Sequence, residues 1–337
     1  MNGTIVALGE ILIRLKPPGH ERFFQSPLLE TACGGSEANV LASLSLLGLD
    51  ARFLTALPPN PLGDGCVRYL RRLGVDTRFV LRRGERVGLY FFEAGASQRP
   101  SLVIYDRTGS AIASTPADAF DWNQIFDGAS WFHISGITPA ISARAAELSL
   151  AAVQEARARG LTISCDFNYR SKLWRYGRSP AEIMGALLRH VDVLVAGVHD
   201  AALLEIPLPQ TEGLSPEEVL SQAWFQAFPN LRYHVTTHRI VFDANHHRLS
   251  ARLARPGAII TSDEYDIPGI VVRVGSGDAF MAGLIYGLHT GMGEDETLAF
   301  AITAAALKHS IPGNVNLATA EEIMRLVKEG GSGRVQR

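Results

Sequence analysis

From about residue 130 onward, apolar runs of strand length alternate with longer helical segments. That rhythm constrains the fold more than any other feature of the chain. "SWFHISG" has the character of a strand, and "SARAAELSLAAVQEARARG" is a long helix ended by Gly160. "LTISCDFN", "VDVLVAG" and "LRYHVTT" are further strands, each followed by a more polar or helical segment. Such alternation implies a mainly parallel sheet with helices on both faces. Sheets of this kind bind ligands beyond the C-terminal ends of their strands, so residues with chemistry are expected just after strands.

The N-terminal third begins in the same way. "TIVALGE" is a short buried strand, and Val40, Leu44 and Leu47 mark one face of a helix stopped by Gly48. "ARFLTAL" is a strand and "DGCVRYLRRLG" a helix closed by Gly74. Between Gly88 and Ser114 the texture changes: "GLYFFEA", "SLVIYDR" and "SAIAS" are strand-like, with turn-like stretches between them. Residues 11–24 look similar, and the two pieces suggest a small β element set apart from the main body. The tail "GGSGRVQR" is glycine-rich and expected to fray.

Composition excludes several functional classes. Of the 337 residues 47% are hydrophobic, enough for a large core, and the formal net charge of −2 gives no footprint for nucleic acid or an anionic membrane. Cys33, Cys66 and Cys165 are too few and too scattered for a disulfide framework or a zinc cluster. "MNGTIVALGEILIRL" lacks the basic-then-apolar pattern of a signal peptide, and no run approaches the length of a membrane span. A cytoplasmic, reducing setting is expected.

The stretch "VGSGDAFMAGLIYGL" carries the strongest chemical signal. Gly275 and Gly277 flank Ser276, and Asp278 stands at a helix start whose first N–H groups have no internal partners. Glycines let that backbone approach an anion closely, as a phosphate-binding loop requires. The plainer reading, a glycine-rich turn with Asp278 as a helix cap, fits a lone GxGD equally well. Phe280, Leu284 and Leu288 line a helix that is apolar nearly all round, and Gly283 and Gly287 would let it pack tightly. No lysine follows as in GxxxxGK[ST], and the position is wrong for a dinucleotide fingerprint.

Two motifs taken together resemble a known family. "GSGDAFMAGLIYGL" resembles the C-terminal signature of the PfkB (ribokinase-like) carbohydrate kinases, and "GGSEANVLASLSLLG" resembles their N-terminal one. "NPLGDGCVRYLRRLGVDT" is similar to the segment that follows it, so the resemblance spans essentially the whole chain. "DFNYRSKLW", "GLYFFE", "YDRTGSA" and "LKHSIPGN" resemble the 2-keto-3-deoxygluconate kinases in particular.

The resemblance implies a ribokinase-like three-layer α/β/α sandwich over residues 1–330, with a mainly parallel sheet and a small β-sheet lid. The lid would come from residues 11–30 and 87–115, leaving 331–337 as a tail. It implies ATP-dependent phosphorylation of a sugar acid, with Mg2+ and in some relatives a monovalent cation. Another sugar such as fructose or ribose, or a catalytically weak sugar- or nucleotide-binding relative, are the alternatives. Asp278 would be the base, and Gly275, Ser276 and Gly277 would stabilise charge on the transferred phosphoryl group. Gly34, Gly35, Asn39, Tyr90, Tyr105, Arg107 and Arg170 would bind the sugar, Arg170 through a carboxylate. Asn168, Thr236, Gly275, Gly277 and Asn314 would bind ATP. No metal ligands are assigned. A homodimer through the lid is expected, because its apolar strands would otherwise leave edges open.

Several positions depart from the family pattern. Val272 stands where the family carries an Asp, with Arg273 and Val274 in place of threonines. Gly197 and Asp200 occupy the Asn-x-x-Glu positions tied to magnesium, "TTHRIVF" lacks the glycine-rich nucleotide motif, and Asn314 replaces an Asp. The adjacent pair His246-His247 lies in a polar setting and suggests a surface loop. Cys33, beside Gly34, is either a reactive thiol or a packing residue.

Overall fold

The computed structural model describes residues 3–209 and 213–330, and the expected tail at 331–337 lies outside the described residues. The described residues form fourteen strands: β1 (Thr4–Leu8), β2 (Leu12–Lys16), β3 (Glu30–Gly34), β4 (Ala51–Leu57), β5 (Val80–Arg82), β6 (Gly88–Glu93), β7 (Leu102–Asp106), β8 (Ala129–Ser135), β9 (Thr162–Asp166), β10 (Val193–Val195), β11 (Tyr233–Asp243), β12 (His246–Arg255), β13 (Ala258–Thr261) and β14 (Tyr265–Pro268). The helices are α1 (Ser36–Leu46), α2 (Pro61–Arg72), α3 (Trp122–Phe126), α4 (Ala143–Ala158), α5 (Pro180–Leu188), α6 (Val198–Leu203), α7 (Pro216–Ala227), α8 (Ser276–Thr290), α9 (Glu294–Lys308) and α10 (Ala320–Glu329).

Ten strands make the main sheet, in the order β13-β12-β11-β10-β9-β8-β1-β4-β5, with β14 paired to β12. From β11 to β5 the neighbours run parallel, and β11, β12 and β13 form an antiparallel margin. Strands buried on both faces alternate between two cores. Ile5 and Ala7 of β1 join the core beneath α1, α2, α8 and α9, whereas Val6 and Leu8 join the one beneath α3, α4, α5 and α7. This is the three-layer sandwich.

Local signals set the helix ends. Asn60 caps α2 by accepting from the N–H groups of Leu62 and Gly63, and Ser142 caps α4 through Ala145. Gly48, Gly74 and Gly160 follow α1, α2 and α4 with φ of +91°, +82° and +73°, a region that glycine enters without strain. Gly283 and Gly287 have the role their spacing suggests. A Cβ on Gly283 would lie 2.7 Å from the Ala301 backbone, and one on Gly287 would lie 2.6 Å from Thr297. The two longest C-terminal helices therefore pack almost backbone to backbone.

The second sheet has four strands in the order β3-β2-β6-β7. β3 carries this lid past residue 30 and delivers Gly34 directly to the start of α1. "SAIAS" is not a strand: Ile112–Ser114 form a short 3-10 turn, because Ala111 and Ile112 are buried in the main core and Thr115 Oγ1 bonds back to the Ala111 carbonyl. The expected loop at His246-His247 is also corrected. His246 opens β12, and pairing with β11 and β14 turns His247 inward, with 0% exposure.

Chain order reverses on either side of β1 and β8. From β1 the sheet grows through β4 and β5, and from β8 it grows the other way through β9, β10 and β11. A crevice opens at such a switch point, beyond the C-terminal strand ends. Among the described residues, no helix is long and apolar enough to cross a membrane.

Candidate active site

A cleft of about 530 Å³ occupies the switch point, floored by the ends of β1 and β9 and the starts of α1 and α8, and covered by β6 and β7 of the lid. At its base Gly275 caps α8 with φ +86°. A Cβ there would fall 1.9 Å from the Asn314 carbonyl oxygen, so the turn demands glycine both for its conformation and for space. Ser276 and Gly277 complete the turn at the cleft: the Ser276 N–H donates only a long 3.4 Å bond to the Arg273 carbonyl, and Gly277 opens the first turn of a fifteen-residue helix to the cleft.

Asp278 stands in the first turn of α8, crowded by protein but reached by solvent through the cleft. Asn39 Nδ2 donates to one carboxylate oxygen at 2.7 Å, and Ser36 Oγ donates to the other at 3.0 Å. Burial pushes its pKa up to about 6, against the pull of Asn39, Ser36 and the charges of Arg170 and Lys308. A carboxylate so poised is largely ionised at neutrality yet more basic than a free one, as suits a general base. Asp166, at the end of β9, lies in the same cleft. Burial first, and the Asp278 charge second, push it up to about 7.

The paired glycines at 34 and 35 are explained by crowding. A Cβ on Gly34 would meet the Asn314 amide nitrogen at 2.1 Å, and one on Gly35 would meet the Glu10 carbonyl oxygen at 1.9 Å. Beside them Glu37 is fully buried. Its carboxylate accepts from the Ser135 N–H and hydroxyl and from the Thr138 hydroxyl, which locks α1 to the end of β8. Asn168, held at φ +42°, donates to Ser36 Oγ at 3.3 Å and so continues the chain of contacts to Asp278.

The lid contributes Tyr90 and Tyr105, directly opposite each other on β6 and β7. Burial pushes Tyr90 up to about 12, so its hydroxyl keeps its proton. Arg107 stacks its guanidinium 5.8 Å from the Tyr105 ring centre and binds Glu10 at 2.6 Å in a pair only 3% and 6% exposed. Arg170 lies across the cleft, and its charge acts on Asp166, Asp200 and Asp278 alike.

Thus Asp278, Gly275, Ser276, Gly277, Gly34, Gly35, Asn39, Tyr90, Tyr105, Arg107, Asn168 and Arg170 share one cleft. Two expected residues do not join them. Thr236 is on the wrong phase of β11: alternation sends Thr237 and Arg239 to the cleft instead. Asn314 is 2% exposed and its amide is committed, accepting from Arg14 at 2.6 Å and donating to the Cys33 carbonyl at 2.9 Å. It braces the anion loop against the lid strands from behind.

Beyond these, Glu10, Ser36, Asp166, Thr237, Arg239 and Arg273 also line the cleft. Glu10 and Asp166 directly follow or end strands, the places that parallel topology marks. Lys308 lies beneath the loop, 0% exposed, with its ammonium donating to the Ile311 carbonyl at 2.7 Å. Burial, then Arg14, lowers its pKa to about 8. Cys33 Sγ lies 3.9 Å from Cys66 Sγ, both thiols free. Gly197 and Asp200 cap α6: the Gly197 N–H donates to the Asp200 carboxylate at 2.8 Å.

The pfkB family carbohydrate kinase model matches residues 2–227, and the chain belongs to that family. It is a sugar kinase acting on a small-molecule sugar. Among curated proteins it is similar to a 2-dehydro-3-deoxygalactonokinase of Haloferax volcanii, 33% identical over 99% of each chain. Among solved structures it resembles the 2-dehydro-3-deoxygluconokinase of Thermotoga maritima, with a TM-score of 0.90 and 40% identity over 97% of this chain and 99% of that one. The fold alone is shared with a fructokinase of Xylella fastidiosa solved with bound ATP, with a TM-score of 0.74 and 22% identity over 98% and 99% of the two chains.

A phosphate-bearing donor fits the residues present, because the start of α8 opens onto the cleft at Gly277, where a Cβ would meet only open space. Magnesium finds less. Among the described residues no group of three or more His, Cys, Asp or Glu side chains could hold a metal ion, so a divalent ion would enter on the donor's own phosphates.

Proposed function

We propose that the protein transfers the terminal phosphoryl group of ATP to a hydroxyl of a sugar acid, 2-keto-3-deoxygluconate being the acceptor of choice and its 6-phosphate the product. One observation carries this reading. The Asp278 carboxylate, fixed by Ser36 and Asn39, stands at the start of α8 in the cleft that also holds the lid tyrosines and Arg170. Similarity to kinases named for keto-deoxy sugar acids, at 33% and 40% identity, supports the acceptor class.

In this reading Asp278 takes the proton of the attacking hydroxyl. The acceptor oxygen forms its bond to the terminal phosphorus as the bond to the bridging oxygen breaks, and ADP leaves. The N–H groups of Gly275, Ser276 and Gly277 face the charge on the transferred group and need no reorganisation to do so. Tyr90, Tyr105 and Asn39 orient the sugar, and Arg170 takes its carboxylate with a planar fork. Lys308 supplies a fixed positive charge beneath the loop, so a monovalent cation is not part of the proposal. Mg2+ arrives with the donor. Leu102 and Ile104, exposed on the edge strand β7, are the apolar surface through which two lids would pair.

The test is ATP turnover on 2-keto-3-deoxygluconate, its galacto epimer, fructose and ribose, with wild type and Arg170→Ala. Sugar acids should be preferred, and the variant should lose at least tenfold on them alone. Preference for fructose or ribose, or equal loss on neutral sugars, would contradict the acceptor assignment. Thermal stabilisation by sugar and ATP without any product would make the protein a binding relative instead.

A further inference from the structure

Two arginines in the cleft have no role in the account so far. Arg239 projects from β11 and Arg273 lies two residues before the Gly275 turn; both line the cleft, and neither forms an ion pair among the described residues. Both keep an exposed face to solvent, and crowding by protein, then the Arg273 charge ahead of that of Arg170, holds Arg239 below the usual arginine range. The nearby groups add little compensation. His247 and His309 are buried and held neutral by desolvation, and the Asp243 carboxylate accepts from the Asn245 N–H in the hairpin turn. Both guanidinium groups line the cleft from its solvent-exposed side, and two like charges set on one wall favour an anion that joins them.

The acceptor does not account for them. Apart from Arg170, its expected contacts gather around β1 and the lid, where the buried arginines Arg14 and Arg107 are already held by Asn314 and Glu10. In the sheet order β11 stands four positions from β1, about 19 Å at ordinary strand spacing. The acidic residues that might recruit a metal are also occupied, since Asp200 is tied to the start of its own helix.

We infer that Arg239 and Arg273 clamp the polyphosphate of the nucleotide donor, so that donor binding rests on fixed guanidinium charge and depends only weakly on a divalent cation. Guanidinium forks match phosphate oxygens in pairs, and each charge-assisted contact is strong. This inference rests on the kinase reading and adds to it the means by which the donor is held. Where a protein-organised metal would neutralise the phosphates, this chain places arginines.

Calorimetric titration of ATP into the full-length protein, without sugar, tests the clamp in EDTA and in Mg2+. Wild type should bind ATP in EDTA within about tenfold of its affinity in Mg2+. Arg239→Gln and Arg273→Gln should each weaken metal-free ATP by roughly 10- to 100-fold. Their Tm should not fall, because a repulsion is relieved, and their KM for the sugar acid should stay unchanged. ATP binding in Mg2+ that disappears in EDTA overturns the clamp while leaving the kinase reading intact. Unchanged ATP affinity in both variants also overturns it, and a raised sugar-acid KM would reassign the pair to the acceptor. Absence of ATP binding under both conditions would overturn the kinase reading and the clamp with it.

Discussion

The two halves of the cleft handle charge in opposite ways. On the proposed acceptor side, the buried arginines are neutralised or engaged: Arg107 by Glu10 at 2.6 Å, Arg14 by the Asn314 amide at 2.6 Å. On the proposed donor side, Arg239 and Arg273 line one wall with no carboxylate partner among the described residues. A satisfied network reads shape and hydroxyl pattern and tolerates little change, because each group left alone in a buried site is expensive. Unpaired charge instead waits for a polyanion. Asp278 sits at the boundary, pushed up by burial and pulled down by donors from α1.

The comparison can be broken most severely at the boundary turn. Gly275→Ala sets a Cβ 1.9 Å from the Asn314 oxygen at φ +86°. Turnover should fall roughly 100- to 1,000-fold, the scale of losing phosphoryl-stabilising N–H groups, and Tm should drop with it. Wild-type turnover in this variant would show that the turn is only structural.

The acceptor half is tested next by Glu10→Gln, which strands a buried guanidinium. The sugar KM should rise by about 10- to 100-fold and Tm should fall, while ATP affinity stays put. An equal loss of ATP affinity would erase the distinction between the halves.

The pH profile gives a smaller effect. Asp278 must be ionised to accept a proton, and its raised pKa means that protonation begins as pH falls towards about 6. The rate constant kcat/KM should therefore decline about tenfold per pH unit below that point. Asp166, pushed up to about 7 close by, titrates with it, so the limb reports the pair. A flat profile down to pH 5 would contradict the base assignment.

The smallest effect is expected from Lys308→Met. Lys308 holds the Asp278 pKa down, so its loss should move the acid limb upward and cost a few-fold in kcat. Tm should hold or rise, since a buried ammonium is removed. An unmoved limb would leave Lys308 as a brace for Ile311 alone.

Much of this was legible in the sequence, and the failures have physical causes. The glycines at 275 and 283 were readable because close backbone approach leaves no room for a side chain, whereas 34 and 35 were legible through the family motif that they share. Strand ends pointed to the neighbourhood of Glu10 and Asp166 because parallel topology fixes where a cleft must open. Thr236 stands outside the cleft because the phase of an alternating strand is set by its neighbours: pairing with β12 directs Thr237 and Arg239 to the cleft lining. The bracing contacts of Asn314 were not legible, because its partners, Arg14 and Cys33, lie some three hundred positions away in sequence and no local pattern records that contact. His247 was turned inward by a hairpin whose length the polar setting concealed.

The central claim is that Asp278 is the proton acceptor at the junction of the two halves, and Asp278→Asn tests it most directly. Turnover of 2-keto-3-deoxygluconate with ATP and Mg2+ should fall about 1,000-fold or more, while calorimetry shows both ligands bound within about threefold of wild type. A variant that keeps wild-type turnover would contradict the account.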